Sequence, residues 1–295
     1  MNPREQGFLL LTSHLGDPER KVLSVAQLRT LAKRVRAVTN PPKTGEVTVQ
    51  TLIAMGYDRE MAQRIITLLA DTEQLRWYLN KGAMVDCYPL SRAGEGYPQR
   101  LRLRLGLDSP GCLWAKGDPQ LLLKPAVALV GSRDLARENL EFARQAGRQA
   151  AMQGYVLVSG NARGADRAAQ DAALEAGGQV ISVVADKLRG CPLQKNMLYL
   201  SEDSFDTAFS AQRALSRNRV IHCLADAVLV AQCANGTGGT WDGTVRNLRF
   251  GWSPVCFFDD DSDGARALEQ MGAAPVKKQD LFDLELLTAN KTRLF

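Results

Sequence analysis

Short apolar runs alternate with amphipathic stretches from residue 125 onward, and this alternation is the clearest pattern in the chain. The runs are PAVALVGS, YVLVSG, QVISVVA, DAVLVAQ and SPVCFFD, each of strand length. Between the first two, small and apolar residues recur at helical spacing: Leu140, Ala143, Ala146, Gly147 and Ala150. Strands that are apolar throughout are typical of a parallel sheet covered on both faces. The pattern therefore predicts an α/β fold over residues 125–295, with a Rossmann-like, doubly wound and mostly parallel sheet.

The first 80 residues carry a helical pattern instead. In SVAQLRTLAKRVRAV, apolar residues recur at helical spacing after Ser24, a good N-cap. Two short helices are predicted around the turn at 55–57 (MGY), with Asp58 capping the second. This arrangement resembles helix-hairpin-helix and SAM-like units, which bind nucleic-acid backbone or serve as protein scaffolds, and both roles stay open. We predict a helical module over residues 1–80 and an irregular connector over 81–124.

Composition is that of a globular protein. Of the 295 residues, 45% are hydrophobic and 23% are charged, which suffices for a core and excludes global disorder. No apolar run approaches the roughly 18 residues of a membrane span, and the N-terminus lacks the basic-then-apolar order of a signal peptide. Six cysteines occur without a CxxC pair, and no histidine stands at metal-ligand spacing. We expect a cytoplasmic protein with no membrane association, metal site or cofactor.

The net charge of +5 is unevenly distributed. Residues 1–120 carry 17 Lys and Arg against 12 Asp and Glu, whereas the remaining residues carry 20 of each. A modest positive excess permits nucleic-acid binding but does not require it. An anion site in the second half must therefore depend on where individual arginines are placed.

Three glycine-rich loops follow apolar runs, at the edge where a doubly wound sheet binds its ligand. They are 131–133 (GSR), 159–166 (SGNARGAD) and 235–240 (NGTGGT). Glycine lets the backbone approach an anion, and the N-terminus of a following helix favours negative charge. The dinucleotide fingerprint GxGxxG and the Walker A lysine motif are both missing from these loops. This argues against an NAD dehydrogenase and against a P-loop NTPase.

Two arginines, Arg133 and Arg163, stand in the first two loops about thirty residues apart in one βαβ unit. Tight turns alone account for the glycines, and a surface salt bridge with Asp134 or Asp166 would account for either arginine. Because the planar guanidinium suits phosphate, we favour phosphate binding by the pair.

At these loops the chain resembles the DprA/Smf family of bacterial DNA-processing proteins, as a divergent member. Six segments match the family's motifs in order: 108–118 (DSPGCLWAKGD), 127–133 (VALVGSR), 156–166 (VLVSGNARGAD), 216–221 (SRNRVI), 235–240 (NGTGGT) and 264–276 (GARALEQMGAAPV). The resemblance implies a non-enzymatic protein that binds and protects single-stranded DNA through its Rossmann-like domain. It also implies a homodimer that helps load the RecA recombinase onto incoming DNA in natural transformation.

The resemblance further implies which residues contact the DNA. Arg133 and Arg163 would contact phosphates, with the backbone N–H groups of Ser132 and Gly160 beside them. The other DNA- or phosphate-binding candidates are Gly131, Ser159, Gly164, Lys195, Arg217, Asn218, Arg219 and Thr240. Single-strand binding also uses stacking aromatics, and the candidates are Tyr199, Phe205 and Phe209. Ordinary packing is the alternative for each of these three rings.

The chain departs from the family in several places. Ala169-Gln170 replaces the usual Ala-His after the second motif, and the C-terminal tail is expected to be too short for a winged helix. The wider Rossmann-like group includes nucleotide-signal sensors and phosphoribohydrolases, whose PGGxGTxxE motif carries a catalytic Glu. Gly243 stands at that Glu, so hydrolysis would need Asp242 as a substitute. Binding of a nucleotide or nucleotide-derived signal without turnover is the alternative function, and His222 is expected to be a packing or surface residue rather than a base.

Overall fold

The structure, a computed structural model, describes residues 1–38, 46–202 and 204–289. Within these residues nine strands form one sheet, in the order β1-β2-β6-β5-β4-β3-β7-β8-β9. The strands are β1 (Tyr88–Ser91), β2 (Cys112–Gly117), β3 (Ala126–Val130), β4 (Val156–Ser159), β5 (Gln179–Val183), β6 (Met197–Glu202), β7 (Ala227–Val230), β8 (Val255–Phe258) and β9 (Ala274–Val276). Strands β3 to β9 pair in parallel, whereas β2 runs antiparallel to β6 and β1 antiparallel to β2.

Helices cover both faces of the sheet, and the predicted Rossmann-like, mostly parallel fold is confirmed. The helices are α1 (Pro3–Thr12), α2 (Val25–Ala37), α3 (Val49–Ala54), α4 (Arg59–Ala70), α5 (Thr72–Ala83), α6 (Gln99–Leu105), α7 (Arg137–Met152), α8 (Ala165–Glu175), α9 (Ala211–Leu224), α10 (Gly239–Phe250), α11 (Asp263–Gln270) and α12 (Leu284–Ala289). Strands β3, β4 and β7 are buried along their whole length, as expected for strands covered on both faces.

Strand order reverses between β3 and β7. From β3 the chain winds outward through β4, β5 and β6, and then returns to the other side of β3 for β7, β8 and β9. The loops that leave β3 and β7 therefore diverge to opposite faces of the sheet. Such a switch point opens a crevice at the carboxyl ends of the strands, which is where open α/β sheets bind ligands.

The predicted connector at 81–124 contains regular structure, so the expectation of an irregular segment is wrong there. Strands β1 and β2 extend the sheet, with Trp114 of β2 opposite Ser201 of β6. The partner strand lies more than 80 residues further along the chain. Local periodicity does not reveal a pairing over that separation, which is why the segment reads as irregular.

The N-terminal helices form part of the same core as the sheet. The crossover from β5 to β6, residues 184–196, contains only a short 3₁₀ turn instead of the α-helix that usually connects parallel strands. Helix α5 covers this region: the Tyr78 ring lies 5.2 Å from Trp114 and 4.7 Å from Phe205, between centroids. A boundary at residue 80 therefore does not separate two hydrophobic cores.

The remaining N-terminal helices follow the predicted pattern. Helix α2 begins at Ser24 in a capping box, and Asp58 caps α4 by accepting the N–H of Met61 at 2.7 Å. Helices α3 and α4 pack with residues of α1 and α2 around a second, small core that includes Leu52 and Ile65. The two short helices predicted around the turn at 55–57 are thus present, and their likeness to a helix-hairpin-helix unit stays a prediction.

Candidate functional site

A cleft of about 680 Å³ lies at the switch point, between the loop after β3 and the N-terminus of α10. One wall is the inner face of α9, and the other is built from segments 131–134 and 234–240. The cleft volume falls within the range of sites for small ligands, which span roughly 300–1,000 Å³. All three glycine-rich loops predicted from the sequence reach this cleft or lie directly beneath it.

The first loop is tied to its neighbours through Ser132. The Ser132 N–H donates to the carbonyl of Gln232 at 3.0 Å, and the Ser132 carbonyl accepts the N–H of Ala165 at 3.2 Å. A β-carbon on Gly131 would lie 2.5 Å from that of Ala165, so only glycine fits. Because the Ser132 N–H is already bonded, the prediction that it contacts a phosphate is wrong for this conformation.

The second loop folds over a buried ion pair. Asp166 accepts the N–H groups of Ala162, at 3.2 Å, and of Gly160. The guanidinium of Arg217 approaches Asp166 at 3.8 Å from below, and both side chains are about nine-tenths buried. Burial raises the pKa of Asp166, and the nearby positive charge of Arg217 opposes the rise. The Gly160 N–H and Arg217 therefore hold the loop, and Arg217 also lines the cleft, so its predicted contact with a ligand stays a prediction.

The glycine at the start of α8 also has a structural reason. Gly164 has φ +88°, in the left-handed region, and a β-carbon there would collide with the carbonyl oxygens of Ser132 and Arg133. The first two loops are thus packed backbone against backbone. Ser159, at the end of β4, is fully buried under them and does not reach the cleft.

The third loop presents an uncapped helix end. Gly238 is the N-cap of α10 and has no side-chain cap, so the first N–H groups of this 12-residue helix are open at the cleft wall. Thr240 lies in the first turn and lines the cleft. Asn218 lines it too, but its Nδ2 donates to the carbonyl of Gly239 at 2.9 Å and so holds the helix end in place.

Arg133 is an exposed cation at the rim of the cleft. Its side chain is exposed and has no ion-pair or hydrogen-bond partner among residues 1–38, 46–202 and 204–289. Arg163 lies outside the cleft lining and pairs with Asp134 at 2.9 Å. Both partners of that pair are at least three-quarters exposed, so the interaction contributes little and either group is free to exchange.

Two predicted cations lie elsewhere. Lys195 precedes β6, and the N–H of Val180 at the start of β5 donates to the carbonyl of neighbouring Asn196. Lys195 is therefore at the amino edge of the sheet, opposite the cleft. Arg219 lies on the other side of α9, where it pairs with Glu202 at 3.1 Å and lines a separate cleft.

Only one of the three predicted stacking rings is available. Phe209 is 53% exposed and lines the cleft just before α9. Tyr199 is a buried residue of β6, and Phe205 is packed between Tyr78 and Trp114. Ordinary packing, the stated alternative, is therefore the role of these two rings.

His222 lines the cleft, a feature that the sequence does not reveal. It is 1% exposed, and its Nδ1 lies 3.1 Å from Nδ2 of Asn247. Burial lowers the pKa of His222 to about 3, so the ring is neutral near pH 7. The predicted packing role is correct for most of the side chain, although one edge of the ring reaches the cleft wall.

The carboxylate that hydrolysis would need as a substitute for the missing Glu does not line the cleft. Asp242 is exposed and is not among the described residues that line the cleft. Within the described ranges, no group of three His, Cys, Asp or Glu side chains is placed to hold a metal ion. The helices in those ranges are also too short or too polar to cross a membrane.

The sequence of this chain is similar to those of known proteins. Residues 90–284 match the family described as DNA recombination-mediator protein A. The DNA processing protein DprA of Bacillus subtilis is 27% identical over 191 residues, which cover 60% of this chain and 64% of the relative. The chain thus matches slightly less than two thirds of that protein's length.

Two solved structures share the fold. The DprA of Streptococcus pneumoniae superposes with a TM-score of 0.72 at 24% identity, covering 97% of this chain and 98% of that one. The DprA of Helicobacter pylori, described for its single-stranded DNA binding mode, gives a TM-score of 0.57 at 25% identity and covers 68% of this chain and 95% of that one. With two thirds of its residues within the family's span, this chain belongs to the DNA recombination-mediator protein A family.

Proposed function

We propose that the cleft at the switch point binds the phosphate backbone of single-stranded DNA. The observation that carries the proposal is Arg133, an exposed guanidinium at the rim with no direct ion pair or hydrogen bond to the described residues. The uncapped N-terminus of α10 adds a favourable dipole on the same wall of the cleft. Arg163 supplies a second cation near the rim once it leaves Asp134.

The exposed ring of Phe209 favours a single strand over a duplex. Bases stack on an aromatic side chain only when they are unpaired and splayed from their neighbours. Phe209 lines the same cleft that Arg133 borders, so one strand could place a phosphate on Arg133 and a base on Phe209. The single-stranded DNA binding mode described for the Helicobacter pylori protein supports this assignment.

Family membership supports a proposal for the wider role. We propose a non-catalytic, cytoplasmic protein that acts as a homodimer, protects single-stranded DNA and assists loading of a RecA-type recombinase. A cleft of about 680 Å³ also accommodates one nucleotide. A nucleotide-derived signal is therefore the second candidate ligand for the same site.

Fluorescence anisotropy with labelled oligonucleotides tests the proposal. We expect the full chain to bind oligo-dT at low salt more tightly than a duplex of equal length, and Arg133→Ala to weaken oligo-dT binding. Arg144→Ala is the matched control, since Arg144 is exposed on α7 and pairs with Glu141 away from the cleft. No binding of oligo-dT at low salt, or equal losses from the two variants, would overturn the proposal.

A further inference from the structure

We infer that His222 is a specificity-determining residue, whose Nε2–H donates a hydrogen bond to a nucleobase inserted into the inner end of the cleft. The inference rests on the proposed function, because it requires a strand or nucleotide in that cleft. The other contacts expected in this site are a cation bound to a phosphate and an aromatic ring stacked on the face of a base. The inference adds a hydrogen bond to the edge of a base.

A buried chain of hydrogen bonds determines the tautomer of the neutral His222 ring. The N–H of Ser253 donates to Oδ1 of Asn247 at 3.0 Å, which identifies the oxygen end of that amide. The other end, Nδ2, therefore faces Nδ1 of His222 at 3.1 Å. An amide nitrogen donates and does not accept, so Nδ1 is the acceptor and the single proton of the neutral ring is on Nε2.

The same network keeps the ring from rotating. Ser253 Oγ donates to the carbonyl of His222 at 2.9 Å, and Asn247 Nδ2 also contacts Ser253 Oγ at 3.1 Å. Reversing the ring would place a carbon against the Asn247 donor in a buried site, at the cost of an unsatisfied polar group. His222 is therefore a donor of fixed direction.

Nε2 is the free end of this network. No described residue bonds to it, although the residue as a whole is only 1% exposed. It lies beside Gly243 of α10, where an added β-carbon would be 3.3 Å from Nε2 and 3.1 Å from Cβ of Asn218. Glycine at this position leaves the space next to Nε2 free, whereas the methyl group of an alanine would lie against that atom.

The surroundings of His222 fit a base better than a phosphate. Ala214, Leu215 and Ile221 make the α9 wall largely apolar, the charge of Arg217 on that wall is paired with Asp166, and the exposed cation Arg133 is at the rim. Asn218 lies one turn before His222. Its Nδ2 donates to the carbonyl of Gly239, whereas its Oδ1 accepts no hydrogen bond from the described residues. A neutral donor beside a neutral acceptor matches the edge of a nucleobase, which carries both kinds of group.

Two oligonucleotides of equal length and charge separate base contacts from backbone contacts. One is oligo-dT, and the other carries abasic sites throughout. We expect His222→Leu to weaken oligo-dT binding by about threefold to tenfold, the net effect of one hydrogen bond, and to leave abasic binding unchanged. His14→Leu is the matched control, because His14 is exposed and lies outside the cleft lining. Equal loss with both strands, or no loss with either, overturns the inference.

A second variant covers the possibility that His222→Leu disturbs folding. Gly243→Ala keeps the buried network and places a methyl group over Nε2. Alanine is a better helix former than glycine, so helix α10 should stay intact. We expect the same selective loss with oligo-dT, and Gly190→Ala, where an added β-carbon meets nothing, should show none.

Free deoxythymidine monophosphate distinguishes the source of the base. If the wild-type chain binds neither strand, the proposed single-strand function is overturned, and the inference is decided by thermal unfolding with this nucleotide. Stabilisation that His222→Leu abolishes would then assign the contact to a free nucleotide. No stabilisation, or stabilisation that the variant retains, would overturn the inference as well.

Discussion

The guanidinium of Arg217 packs directly against the α-carbon of Gly160, so that a β-carbon on Gly160 would overlap it. This contact joins α9 to the loop after β4, and it explains why the SG in that loop needs its glycine. The RNR segment is therefore, in part, a support for the glycine-rich loops at the cleft. We expect Gly160→Ala to displace the loop and to lower both the thermal midpoint and the affinity for oligo-dT. Unchanged unfolding and binding would show that the loop accommodates the methyl group.

Arg217 and Asp166 form a buried ion pair. Each charge compensates for the other, and either one would be costly to bury alone. Burial lowers the pKa of Arg217 and raises that of Asp166, so desolvation works against both charged forms. We expect Arg217→Met to destabilise the protein by about 3–5 kcal/mol, because it leaves the Asp166 carboxylate buried without a cation. Urea unfolding measures the change.

A second substitution tests that explanation. Adding Asp166→Asn to Arg217→Met removes the uncompensated charge, so the double variant should be clearly more stable than the sum of the single losses predicts. Strict additivity would show that the two residues act independently.

The strands of the Rossmann-like sheet were predictable because each is a short apolar run, whereas the placement of the cations was not. Lys195 follows β5 in sequence, but its loop has already returned to the amino edge before β6 begins. Arg217 and Arg219 are two residues apart on α9, so they point to different sides of that helix. Their roles depend on the packing of α9, which motif spacing does not describe.

The role of His222 is even harder to predict from the sequence than the placement of the cations. Its tautomer depends on Ser253, 31 residues further along the chain, and its access to the cleft depends on Gly243 of another helix. By contrast, Arg133 was correctly predicted at the carboxyl edge, because a residue directly after a buried parallel strand has little choice of position.

The two phenylalanines before α9 should respond differently to truncation. Phe209→Ala is expected to weaken oligo-dT binding by about fivefold or more, with little change in stability, because stacking contributes roughly 1–3 kcal/mol per base. Phe205→Ala should instead destabilise the protein by about 3–5 kcal/mol, since it empties the space between Tyr78 and Trp114. Anisotropy and urea unfolding on both variants separate the two effects, and a reversed pattern would exchange the assigned roles.

The buried His222 should make folding stability depend on pH. Its folded pKa of about 3 lies below the unfolded value of 6.5, so the unfolded chain binds a proton that the folded chain excludes. This contribution is complete above pH 6.5 and is lost as the pH falls toward 3, at about 1.4 kcal/mol per pH unit. Urea unfolding at pH 7, 6 and 5 should show the advantage of the wild type over His222→Leu shrinking with acidification. A constant difference would mean that the ring takes up its proton without unfolding.

The salt dependence of oligo-dT binding tests the central claim most directly. A phosphate held by Arg133 displaces a counter-ion from the strand, so the logarithm of the affinity should fall linearly with the logarithm of the salt concentration. Replacing Arg133 with Ala should make that slope shallower by about 0.7, the value of one phosphate contact on a single strand, while Arg144→Ala leaves the slope unchanged. A slope identical in the wild type and in Arg133→Ala would contradict the account, because the cation at the rim would then hold no phosphate.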